Sequence, residues 1–117
     1  MSTAVQNLRV VPRVQSVSDA ATVTPNADND TMVDITAIAQ AFTIAAPTGT
    51  PTNGQVLSIQ IKDNGTARAI TWNSAYTAGG VALPSTTVIS KIMFATFVYT
   101  TANSLNKWRL IGLAQEV

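Results

Sequence analysis

The chain contains no cysteine and no histidine. The first absence excludes disulfides, thiol nucleophiles and thiolate metal sites, and says nothing about compartment. The second removes the Ser-His-Asp triad, the Cys-His pair and His-ligated zinc. Charge is scarce: 11% of residues are charged, against a usual level of about 25%. The net charge is +1 and Lys and Arg form no run, so neither nucleic acid nor an anionic membrane surface is an expected partner. No apolar run approaches the roughly 20 residues of a membrane-spanning helix. The opening "MSTAVQNLRVVPRVQSV" lacks an apolar region followed by a small-residue cleavage site, so no secretory signal is expected.

What remains for chemistry is a Lys, a Tyr or a pair of carboxylates. The six acids are Asp19, Asp28, Asp30, Asp34, Asp63 and Glu116. A carboxylate-pair hydrolase needs two acids a short distance apart, one of them with a raised pKa. No pair is spaced for that, and the chain reads as non-enzymatic, with no catalytic residue, cofactor or metal. The 117 residues suit one domain, and 46% hydrophobic content is enough for one core. So little charge leaves little to keep an isolated domain separate, which points to a surface covered by other subunits. The alternative is a neutral, Thr-rich surface without a partner.

Residues 1–18 differ from the remainder. They carry Arg9 and Arg13, no acid, and Pro12, which forbids a continuous helix. Val5, Leu8, Val10, Val11, Val14 and Val17 give apolar content without a period. Two readings stand: an extended arm that docks on something, or an ordinary first strand on its own sheet.

From Asp19 onward, short strands alternate with turns. A strand is expected at Ala21–Thr24, followed by an Asx-rich turn after Pro25. "TMVDITAIAQ" is ambiguous, because Thr31 with Asp34 resembles a capping box while Val33, Ile35 and Ala37 alternate with polar residues. The reading taken is a strand at Met32–Thr36, an irregular or helical turn at Ala37–Gln40, and a strand at Ala41–Ala45. "PTGTPTNG" is a loop. Gln55–Lys62 alternates cleanly, and Arg68–Trp72 answers it across Asn64-Gly65, a dipeptide suited to a type I′ hairpin turn. In that register Ile61 faces Arg68, Ile59 faces Ile70 and Leu57 faces Trp72. A short strand is expected at Val81–Leu83. "KIMFATFVYT" and "KWRLIGLAQEV" are apolar on both faces, so one face meets the core and the other a second layer or a subunit. The fold class expected is all-β, an antiparallel β-sandwich or jelly-roll-like domain over residues 19–117, with an extended N-terminal arm over residues 1–18.

Several residues invite a functional reading beside a plainer one. Asp28, Asp30 and Asp34 offer oxygens to calcium, but the glycine and terminal Glu of an EF-hand are missing, and Asx residues in turns commonly bond their own backbone. Asp63 and Arg68 flank the Asn-Gly turn as a binding pair, or Asp63 bonds turn amides while Arg68 covers Ile61 with its stem. Trp72 and Trp108 are expected in the core. Tyr76, beside Gly79-Gly80, is the more plausible exposed aromatic for carbohydrate contact.

The elements "IAAPTGTPTNGQ", "IKDNGTARAITWN" and "LPSTT", with the closing "WRLIGLAQE", together resemble a recurrent domain of tailed-bacteriophage virion proteins, over Ala21 to the C-terminus. Such domains occur in head decoration proteins, head fibres and tail-fibre proteins, often as trimers. The resemblance implies a structural protein of the virion, at the capsid surface and made in the host cytoplasm. It favours a capsid decoration (cement) protein that binds the major capsid protein or other virion proteins as a homotrimer. The alternative is a receptor- or glycan-binding adhesin module of a head or tail fibre. On this reading Val5, Leu8, Arg9, Val10, Val11, Arg13 and Val14 form the capsid-binding arm. Met93, Phe97, Tyr99, Ile111 and Leu113 form the subunit interface.

Overall fold

The computed structural model describes residues 11–117. The apolar alternation becomes nine strands: β1 (Val14–Val17), β2 (Thr22–Val23), β3 (Met32–Ile38), β4 (Phe42–Ile44), β5 (Val56–Asp63), β6 (Ile70–Trp72), β7 (Tyr76–Thr77), β8 (Met93–Thr100) and β9 (Lys107–Gln115). They form a six-stranded sheet in the order β1-β3-β5-β8-β9-β7 and a three-stranded sheet in the order β2-β4-β6.

The fold is all-β, but its sheets are mixed rather than antiparallel. β1/β3, β3/β5, β2/β4, β4/β6 and β7/β9 are parallel pairs, while β5/β8 and β8/β9 are antiparallel. From β1 to β6 the chain alternates between the two sheets. Each parallel pair within β1–β6 is therefore connected through a strand of the other sheet, and successive turns of chain stack like coils of a short solenoid; β7 and β9 are instead joined through β8 of their own sheet. Parallel neighbours need a long crossover; within β1–β6 the second sheet supplies it in place of a helix.

This topology overturns the hairpin. β5 and β6 lie in different sheets, and the pairs Ile61/Arg68, Ile59/Ile70 and Leu57/Trp72 do not form. Ile59 sits opposite Val33 and Ala95, and Ile70 opposite Phe42. Gly65 has φ +108°, but Asn64 is not in the positive-φ region that a type I′ turn requires of both residues. The physical reason lies in β5 itself. Its inward residues Leu57, Ile59 and Ile61 have no exposed surface, and long neighbours on both sides, β3 and β8, bury it more completely than the three-residue β6.

Other expectations change with the topology. β3 runs on through Ile38, with a register shift between Ile35 and Ile38, where a helical turn was expected. Thr31 caps no helix; its hydroxyl oxygen accepts the Arg13 N–H at 2.8 Å. Val81–Leu83 is not a strand, whereas Tyr76–Thr77 is one. Within the segment read as an arm, Val14–Val17 pairs with β3 as the first strand of the larger sheet.

Both sheets contribute to one core. Val23, Phe42, Ile44 and Ile70 come from the smaller sheet, and Val33, Ile35, Leu57, Ile59, Phe97 and Trp108 from the larger. Trp72, Tyr76 and Phe97 pack at centroid distances of 5.2–5.3 Å, a geometry that adds to simple burial.

Candidate functional site

Two features stand out: the outer face of the six-stranded sheet, and a buried junction built on Asp63.

Strand alternation sends Met93, Ala95 and Phe97 of β8 into the core and leaves Phe94, Thr96 and Val98 on the outer face. Register places Asp34, Gln60, Phe94 and Ala114 in one row, and Met32, Ser58, Thr96 and Gly112 in the next. A third row holds Val56, Val98 and Arg109. The register shift at Thr96/Phe97 leaves Ile111 as an extra residue of β9, 59% exposed. Val56 and Val14 are 47% and 52% exposed. On these three rows Asp34 and Arg109 are the charged residues, and Asp34 already accepts a hydrogen bond from Gln60 Nε2 at 3.0 Å. The result is a weakly charged face whose central residues Phe94, Thr96 and Val98 are half-buried and whose outer residues Val14, Val56 and Ile111 are exposed.

The residues expected at a subunit interface therefore divide. Met93 and Phe97 are buried within their own chain and cannot meet another subunit, because the sheet pleat turns them toward the smaller sheet. Tyr99 and Leu113 are half-buried against the core. Ile111 is exposed. The outward partners missed by sequence reading are Phe94 and Val98. Alternation marked them as the opposite face, but no sequence signal said which face was inner.

Of the residues assigned to the arm, Val5, Leu8, Arg9 and Val10 lie outside the described residues. Val11 and Val14 are exposed. Arg13 is engaged on its own domain, its guanidinium donating to the Asp28 carbonyl at 3.2 Å.

Asp63 ends β5 with its side chain buried at 2% exposure. Its Oδ1 accepts the Gly65 N–H at 3.0 Å and the Ser90 N–H at 2.8 Å, and its Oδ2 accepts the Thr87 hydroxyl at 2.7 Å. Burial alone would raise its pKa. The Ser90 amide, the Thr87 hydroxyl, the Gly65 amide and the Arg68 charge outweigh that and hold the carboxyl below its ordinary value of 3.8. Arg68 in turn donates from Nη2 to Asn64 Oδ1 at 3.0 Å, while its buried Nε has no partner among the described residues. Asp63 thus bonds turn amides, and it also pins a second loop, residues 87–90, which sequence spacing did not suggest.

The other candidates have structural partners. Asp30 accepts the Asn26 N–H and closes its own loop, while Asp28 accepts the Thr50 N–H and ties that loop to the one following β4. Among the described residues no group of acids is clustered as a metal site would require. Tyr76 is not an exposed loop aromatic: it is 4% exposed, and its hydroxyl donates to the Ala45 carbonyl at 2.8 Å. Burial pushes its pKa upward. Trp72 donates its indole N–H to the Pro84 carbonyl at 2.7 Å. Comparison with protein-family models, curated proteins and solved structures gives no match for this chain.

Proposed function

We propose that the protein is a non-enzymatic structural component of a bacteriophage virion. In this reading it decorates the capsid and associates as a homotrimer through the outer face of its six-stranded sheet. The observation that carries the reading is that face. Val56, Phe94, Val98 and Ile111 lie on it with little charge between them, on a chain that is 11% charged overall. The four strands β3, β5, β8 and β9 span about 20 Å at ordinary strand spacing, and eight residues run about 26 Å. A corrugated patch of that size approaches the roughly 800 Å² per partner of a standard interface. The virion assignment rests on the resemblance of "IAAPTGTPTNGQ", "IKDNGTARAITWN", "LPSTT" and "WRLIGLAQE", and the all-β character of the chain is in keeping with it.

Mechanistically, a symmetric assembly multiplies weak contacts into avidity. A protein that binds only the assembled shell stabilises it by mass action. The segment before Val11 is proposed as the shell contact, through Val5, Leu8, Arg9 and Val10. The test is binding to undecorated capsids by full-length protein and by a variant lacking residues 1–10, which preserves β1. Loss of binding with an unchanged oligomer supports the reading. Equal binding removes the segment from it, and a monomer in sedimentation removes the avidity. In the adhesin alternative, Tyr76 is buried and so is not the exposed aromatic that would contact a glycan.

A further inference from the structure

The sequence contains two Asn-Gly dipeptides, Asn53-Gly54 and Asn64-Gly65. This pairing is chemically fragile, because the glycine nitrogen can close a five-membered ring on the asparagine side chain. Glycine, lacking Cβ, hinders neither the approach nor the backbone rotation it requires. The two sites are both exposed, and both glycines have positive φ, +91° at Gly54 and +108° at Gly65. Their hydrogen-bond partners separate them.

At Asn53 both reacting groups are tied to neutral main chain at the end of β8. The Gly54 N–H donates to the Tyr99 carbonyl at 2.8 Å, and Asn53 Oδ1 accepts the Thr101 N–H at 3.0 Å. A carbonyl oxygen accepts no proton at neutral pH, and the two bonds hold the reacting atoms in place. At Asn64 the partners are ionised side chains. The Gly65 N–H donates to Asp63 Oδ1, and Asn64 Oδ1 accepts from the Arg68 guanidinium. The nucleophile thus lies on a carboxylate, and the electrophilic amide has a cationic donor on the oxygen where negative charge develops. Asp63, held below its ordinary pKa, is a weak base that orients the Gly65 nitrogen and relays its proton, and the Arg68 donor is an oxyanion contact of the kind acyl transfer uses, both supplied within one turn, where proximity is covalent.

We propose that Asn64 is a self-modifying site, converted in the folded protein through a succinimide to aspartate and isoaspartate, with Asp63 and Arg68 promoting the reaction and Asn53 protected. The Gly65 nitrogen bonds to Asn64 Cγ, and its proton passes through Asp63 Oδ1 to the side-chain nitrogen. The Cγ–Nδ2 bond breaks and ammonia leaves, which restores Asp63 as the carboxylate. Solvent water then opens either carbonyl of the ring. Opening one way leaves aspartate at 64; the other leaves isoaspartate, with one more carbon in the main chain. The second product draws the Gly65 N–H away from Asp63. It loosens the junction that holds Ser90, beside the exposed Val88 and Ile89. Age of the molecule is thereby written into one turn and transmitted to the neighbouring loop.

The experiment is incubation of the folded full-length protein at neutral pH, with peptide mapping by mass and by isoaspartyl methyltransferase labelling at 53 and 64. The expected result is conversion at 64 and none at 53, with similar conversion at both once the protein is unfolded in urea. Arg68→Ala, a half-exposed position, is expected to slow conversion at 64 by about tenfold, the factor for one charge-assisted bond. Arg68→Lys should restore part of it. Circular dichroism shows whether each variant is folded. Equal conversion at 53 and 64 in the folded protein overturns the proposal, as does an unchanged or faster rate at 64 in a folded Arg68→Ala variant.

Discussion

The Thr87 hydroxyl donates to Asp63 Oδ2 at 2.7 Å across 24 residues of sequence, in a fully buried side-chain contact. Thr87 also accepts the Arg68 N–H through the same oxygen at 2.8 Å. One threonine therefore links the end of β5, the approach to β6 and the loop before β8. Thr87→Val keeps the volume but leaves the Asp63 oxygen and the Arg68 amide short of a partner. Stability should fall by about 2 kcal/mol, within the range for stranded buried polar groups. Urea denaturation of the two proteins measures it, and a loss near zero would show that water replaces the hydroxyl.

Acid should weaken the fold through the same junction. Because Asp63 is held below 3.8 in the folded state, the folded protein binds its proton less readily than the unfolded chain. The resulting stabilisation is complete above the ordinary value and is lost as pH falls through the depressed one. Denaturation midpoints measured from neutral pH down past 3.8 should decline on the acid side, and the decline should shrink in Asp63→Asn.

Tyr76 joins the aromatic cluster to the Ala45 carbonyl. Tyr76→Phe removes only the hydroxyl and should cost about 1 kcal/mol. Tyr76→Ala opens a cavity beside Trp72 and Phe97 and should cost about 3–5 kcal/mol. Thermal melts distinguish the two. A Tyr76→Ala variant as stable as the parent would contradict the buried placement.

Gly79 lies where an added Cβ would strike the Leu110 carbonyl oxygen, a main-chain atom with no room to retreat. Gly79→Ala should push the chain after β7 away from β9 and cost about 2 kcal/mol, as overpacking does. Gly80→Ala meets open space and is the matched control.

Charges placed on the outer face should change association rather than folding. Val56→Lys and Ile111→Lys are substitutions at exposed positions, where effects on stability are ordinarily within about 0.5 kcal/mol. Sedimentation should show a smaller species with an unchanged melting temperature. Unchanged association would exclude this face as the contact.

Sequence by itself determined that the chain is rich in β-strands and where most of them lie, because alternation reports burial of one strand face directly. Leu57, Ile59 and Ile61 were legible as a buried stripe, as was the dual apolar character of Met93–Tyr99. It also determined that Asp63 and Gly65 meet in a turn, since an Asx side chain reaches its own backbone two residues on. Tertiary structure alone decided the partners. A period of two fixes a face without naming the strand beside it, so Leu57–Ile61 fitted a hairpin with Ile70–Trp72 as well as its observed place between β3 and β8. Parallel pairing through strands of a second sheet depends on contacts between residues 18 to 28 apart, and local pattern carries no record of them. For the same reason only the fold could turn Phe97 inward and Val98 outward, bury Tyr76, and bring Thr87 and Ser90 onto Asp63. What began as a turn residue is, in three dimensions, the point where two loops and a strand end are tied.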